Sequence, residues 1–286
     1  MNSTFPRLAT TPVNSASSKV HVMMVGPWDT DEFKWIHQEV PETKNWQTVN
    51  CTRQACDSLD TSATPPELLL LAQPLPGQYQ QAEIDSLQQS APLARIVVIS
   101  GTWCEGELRT GNPLRGVLRL YWYEFKFWWQ AAHKKRAHGL CPPWSLPLDT
   151  PYAGRCVLES TNPTGDEPGT IVVSTADYPT YKTLDVMLQD YGFSTLWSAT
   201  ARNTPDQESG PPPQIIQGGI WDGGQLEPRE FHQLQNFCQR IHTHKSPVVA
   251  LLDFPRSEHI QRIREAGAQT VFGKPYMISE IMEVFR

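Results

Sequence analysis

Long apolar runs, paired cysteine motifs and basic stripes are all missing from this 286-residue chain, and each absence removes a class of protein. The longest apolar run lies around Leu68 to Ala72, far short of the about 20 residues a membrane-spanning helix needs. The N-terminus is rich in Ser, Thr and Pro and lacks the charged start and apolar core of a secretory leader. A cytoplasmic, soluble protein without a membrane span is therefore expected. The six cysteines, Cys51, Cys56, Cys104, Cys141, Cys156 and Cys238, are scattered and show no metal-ligand spacing, which favours reduced thiols over a disulfide framework. His133, His138 and Cys141, or His242 and His244, fall short of a full ligand set, so neither a metal nor a cofactor is expected. Lys plus Arg number 24 against 30 Asp plus Glu, a net charge of -6, and nucleic acid is not an expected partner.

What the chain has in quantity is proline, with 25 residues, and tryptophan, with 10, a composition that implies long structured loops and large aromatic packing surfaces. Residues 1–18 offer too little apolar surface to repay ordering and read as a tail. A first domain spans 19–139. Prolines at Pro142, Pro143, Pro147, Pro151, Pro163 and Pro168 mark 140–168 as an extended connector, and a second domain fills 169–286. Two domains of this size can each bury a core.

The most informative stretch closes the chain. Ala266-Gly267 reads as a helix end, Thr270-Val271-Phe272 as a buried strand, Lys274-Pro275 as a turn, and Ile278, Ile281, Met282 and Phe285 as the apolar face of a last helix. Upstream, the runs Thr170 to Val173, Ser194 to Ser198, Gln214 to Gly218 and Val248 to Leu251 read as strands. Tyr178 to Tyr191, Arg229 to His242 and Ser257 to Ala266 read as helices between them. Pro205, Gly210 and Pro211 to Pro213 disfavour a helix over Ala201 to Pro213. The first half repeats the pattern more faintly, with strands at Val20 to Val25, within Pro66 to Gly77 and at Arg95 to Gly101, and a helix around Glu32 to Ile36.

This pattern, and the Lys-Pro turn above all, resembles the receiver domains of bacterial response regulators. The resemblance implies an α/β fold of two doubly wound, flavodoxin-like domains, each with a five-stranded parallel sheet in the order 2-1-3-4-5. It also implies a site at the carboxyl ends of the strands, built from an acidic pair that holds Mg²⁺, an acceptor aspartate, a Thr or Ser switch and a lysine. In the second half these positions fall on Ser174 and Thr175, Gly219, Leu252 and Lys274. In the first half they fall on Gly26 and Pro27, Ala72 and Ser100, and the aromatic segment Leu120 to Trp129 replaces the Lys-Pro turn. Mg²⁺ needs carboxylate oxygens and phosphoryl transfer to this fold needs a carboxylate nucleophile, so both sites read as degenerate and non-phosphorylatable.

Other residues remain open to function. Asp222 and Asp253 lie close enough in sequence to the empty acceptor position to be displaced carboxylates, or else a turn former and a loop cap. The loop Ser100 to Gly111 gathers Trp103, Cys104 and Arg109, and reads as a recognition loop, a structural loop, or the site of a small-molecule binder or enzyme. Acids beside Cys104 disfavour its thiolate. Trp122, Trp128 and Trp129 beside the basic run His133 to Arg136 suit a partner interface, or packing against the second domain or the Pro-rich connector, and the brief basic run suits a membrane-surface helix less well. The chain ends after its last helix, so no output domain is expected. Together these features predict a non-enzymatic protein of bacterial signalling that binds protein partners or itself, with Lys274 to Phe285 as a first candidate surface.

Overall fold

A computed structural model describes residues 20–36, 46–148, 150, 169–198 and 215–285. The expected tail, most of the expected connector and the region Ala201 to Pro213 lie outside these residues.

The first sheet is formed by β1 (Val22–Val25), β2 (Trp46–Val49), β3 (Leu68–Gln73), β4 (Arg95–Ser100) and β5 (Leu118–Tyr121), all parallel, in the order β2-β1-β3-β4-β5. The second is formed by β6 (Thr170–Ser174), β7 (Ser194–Ser198), β8 (Ile216–Asp222), β9 (Val248–Leu252) and β10 (Thr270–Gly273), also parallel, with β7-β6-β8-β9-β10 repeating the same winding. Two flavodoxin-like sheets of order 2-1-3-4-5 are thus present. A parallel sheet covered on both faces needs apolar residues on both, and every residue of β1, β3 and β9 is buried.

Each sheet lies between two apolar layers. In the first, Met23, Val25, Leu69 and Leu71 face α1 (Thr52–Thr61) and α2 (Gln81–Ser90). Val22, Met24, Leu68 and Leu70 face α4 (Phe125–Ala137), while the short α3 (Glu107–Thr110) follows β4. In the second, α5 (Tyr178–Asp190) and α8 (Ile278–Phe285) cover Ile171 and Val173, and α6 (Pro228–His242) and α7 (Ser257–Ala266) cover Trp221 and Ala250. Local sequence starts these helices. Asp177 caps α5 by accepting from the Thr180 N–H at 2.9 Å, and Glu227 and Glu230 form a capping box with Pro228 in the first turn of α6.

The aromatic segment takes two directions. Phe125, Trp128, Trp129 and Ala132 recur at helical spacing and enter the first core beside Trp122 and Trp144. Phe127 points the other way and joins the core of the second half, its ring 4.4 Å from Phe272 on β10. Tyr123 lies over Gly273, where a Cβ would come within 2.5 Å of the ring, and Lys134 pairs with Glu283 of α8 at 2.8 Å. Trp122, Trp128 and Trp129 are therefore core residues shielded by their own chain, not anchors offered to a partner. The face around β10 and α8, expected as the first candidate surface, is met by α4 of the first half.

The head of the expected connector is packed as well. Trp144, in the single turn Pro143–Ser145, is buried in the first core, and Arg95 donates to the Trp144 and Leu146 carbonyls at 2.7 and 2.6 Å.

Candidate functional site

Strand register decides which residues share the carboxyl edge of each sheet. In the first half Ser100 pairs with Gln73, and the residue before it, Ile99, pairs with Ala72. In the second half Leu252 ends β9, and the residue before it, Leu251, pairs with Asp222. Asp222 is thus the counterpart of Ala72. Gly219 pairs with Val248 deep inside the sheet, so the sequence reading that placed it at the acceptor position is corrected. The strand ends at Asp222 rather than Gly218 because its glycines do not turn the chain. A Cβ on Gly218 would meet the Phe285 ring at 2.3 Å, and one on Gly219 would meet Phe237 at 2.9 Å. They stay extended to admit those rings, and an irregularity at Thr170/Ile171 absorbs one residue of register. The same comparison aligns Ser174 and Thr175 with Val25 and Gly26, one residue earlier than Gly26 and Pro27.

Around Asp222 the second half assembles a compact polar site. The Lys274 Nζ lies 2.7 Å from Asp222 Oδ1 and 3.0 Å from Asp253 Oδ1, and donates to the Gly223 carbonyl at 2.6 Å. Burial works against the Lys274 ammonium, but the two carboxylates outweigh it and hold its pKa above the ordinary lysine value. Thr175 Oγ1 donates to Asp222 Oδ2 at 2.7 Å, and Trp197 Nε1 donates to the Thr175 carbonyl at 3.0 Å. Ser174 is buried, and Leu252, also buried, brings no hydroxyl.

A Mg²⁺ ion does not fit this donor set. It requires free carboxylate oxygens, whereas the edge supplies the Ser174 and Thr175 hydroxyls and two aspartates that both already engage the Lys274 ammonium. Among the described residues no cluster of three or more His, Cys, Asp or Glu could hold a metal.

The first half has no counterpart of this polar site. Ala72 is buried, and Trp122 follows β5 where Lys274 follows β10. At the corresponding edge there is an internal ion pair. Arg119 Nη1 lies 2.6 Å from Glu107 Oε2 and donates to Ser100 Oγ at 3.0 Å, while Gln73 Nε2 donates to both Glu107 oxygens at 3.2 Å. Arg119 was not singled out from the sequence because it sits in an apolar strand, where only the fold reveals that it reaches back over β4. Cys104 is buried, donates to the Gln73 carbonyl at 3.3 Å, and has its thiol pushed up to about 12, first by burial and then by Glu107. It does not form a thiolate at neutral pH.

Trp103 projects outward, 76% exposed, and Leu108 and Arg109 on α3 are exposed as well. Thr102 Oγ1 donates to the Pro255 carbonyl at 3.4 Å, which sets this loop against the exposed Phe254 of the second half. At the same junction Glu105 and Glu124 are both pushed up to about 7, chiefly by burial.

No protein-family model matches the chain, and no curated protein does. Among solved structures, the receiver domain of the Francisella response regulator 1452 is 13% identical and aligns 41% of this chain with 93% of its own, at a TM-score of 0.29. A two-component response regulator/GGDEF domain protein is 11% identical over 93% of this chain and 96% of its own, at 0.34. The GsuK channel is 9% identical over 94% of this chain and 69% of its own, at 0.28. Similarities this low carry no argument about function, and the fold assignment stands on strand order and register. Among the described residues no helix is long and apolar enough to cross a membrane.

Proposed function

We infer that this protein is a tandem pseudo-receiver of bacterial signalling that works by contact with protein partners and not by accepting a phosphoryl group. The observation carrying this reading is the state of Lys274, which already holds the Asp222 and Asp253 carboxylates, at an edge where hydroxyls replace the acidic pair. Asp222 is a carboxylate in the acceptor position. Without a divalent ion to neutralise the incoming phosphoryl oxygens, transfer to it loses the main electrostatic stabilisation of its transition state. The first half has no carboxylate at the equivalent position.

Intact-mass analysis after incubation with Mg²⁺ and acetyl phosphate tests this reading, and an unchanged mass is expected. A base-labile gain of one phosphoryl group, absent from Asp222→Asn, overturns it. For partner contact we favour the segment after β4 that carries Trp103 and, on α3, Arg109, since exposed Trp and Arg are the residue types that anchor interfaces. A protein retained by the full chain in a pull-down from the native cell should be lost with Trp103→Ala and Arg109→Glu, at unchanged thermal stability. Retention by both variants moves the interface elsewhere.

A further inference from the structure

Between α4 of the first half and α7 of the second, packing leaves a cleft of about 710 Å³, within the range of about 300–1,000 Å³ typical of small-ligand sites. Trp35, Tyr123 and Phe127 of the first half line it with aromatic surface. Ile260 of the second half, which packs against the cores of both, lines it as well.

The polar groups of this cleft are unevenly satisfied. Asp31 is paired with Lys34 at 2.5 Å, and Glu265 accepts from Gln261 Nε2 at 2.8 Å. Arg264 is exposed and has no carboxylate partner among the described residues. Its guanidinium offers the planar fork that carboxylates and sulfonates accept in pairs. We propose that the cleft binds a small aromatic anion, its ring against Trp35 and Tyr123 and its charged group on Arg264. The ring surface comes from the first half and the Arg264 guanidinium from the second, so such a ligand bridges them, and Lys126 of the first half adds positive charge to the same lining.

Calorimetric titration of the full chain with 2-naphthoate, and with the uncharged 2-naphthalenemethanol as its counterpart, tests the proposal. One equivalent of naphthoate should bind, about tenfold more tightly than the alcohol, and Arg264→Glu should lose about the same factor, the worth of one charge-assisted contact. Arg115→Glu, an exposed change in another part of the first half, should bind like the parent. Absence of binding, equal binding of acid and alcohol, or undiminished affinity in Arg264→Glu with an unaltered circular dichroism spectrum each overturns it.

Discussion

Glu124 accepts from the Tyr121 N–H at 2.6 Å in a position withdrawn from water, so its carboxyl is hydrogen-bonded yet poorly hydrated. Burial outweighs that hydrogen bond and lifts its pKa from 4.5 to about 7. A carboxyl whose folded value exceeds its unfolded one favours the folded state when protonated. That contribution is complete below about 4.5 and is lost as pH rises through about 7. Glu105, also raised to about 7, acts in the same direction. Stability measured by chemical denaturation should therefore fall between about pH 5 and 8. Glu124→Gln keeps an acceptor for Tyr121, and should flatten much of that slope and gain about 1–3 kcal/mol at pH 8. An unchanged pH profile would show that water reaches this carboxyl.

Strand β8 is the element on which the second half turns. It carries Asp222 to the sheet edge, and it reaches that far because two adjacent glycines let Phe285 of α8 and Phe237 of α6 close on opposite faces of the sheet. Gly218→Ala forces a methyl group onto the Phe285 ring and should cost about 1–3 kcal/mol by overpacking. Phe285→Leu removes the ring edge that clashes, so in the double variant the two losses should fall short of their sum. Strictly additive losses in thermal or chemical denaturation would mean that Gly218 serves the backbone rather than its neighbour.

At the scale of the whole molecule, α4 joins the halves because it has two apolar faces, one for each core. Phe127 is the residue that crosses, and truncating a buried Phe costs about 3–5 kcal/mol. Phe127→Ala should release the second half from the first, seen as an increased radius of gyration in small-angle scattering, while each sheet keeps its circular dichroism signal. An unchanged radius would show that Tyr123, Lys134 and the Thr102 to Pro255 contact suffice to hold the halves together.

The sequence by itself determined where the strands and helices of the second half lie, together with β1, β3 and β4 of the first, because a parallel strand buried on both faces must be apolar throughout; the short edge strands β2 and β5 and the helices α1, α2 and α4 were not announced by it. Leu68 to Ala72 and Val248 to Leu251 could be little else, and the helix over Arg229 to His242 was legible from its apolar spacing alone. Tertiary structure alone decided the end of β8, the fate of the tryptophans and the pairing of Arg119. Gly218-Gly219 has the composition of a turn and is held extended by Phe237 and Phe285, rings far along the chain, a relation that exists only after packing. The aromatic run Leu120 to Trp129 is equally apolar on several sides, and which ring enters which core depends on where the second half docks. Arg119 finds Glu107 across a fold in the chain, so no local spacing announces it. Apolar patterning is written along the chain residue by residue, whereas a site at a sheet edge depends on the register of strands that are far apart in sequence.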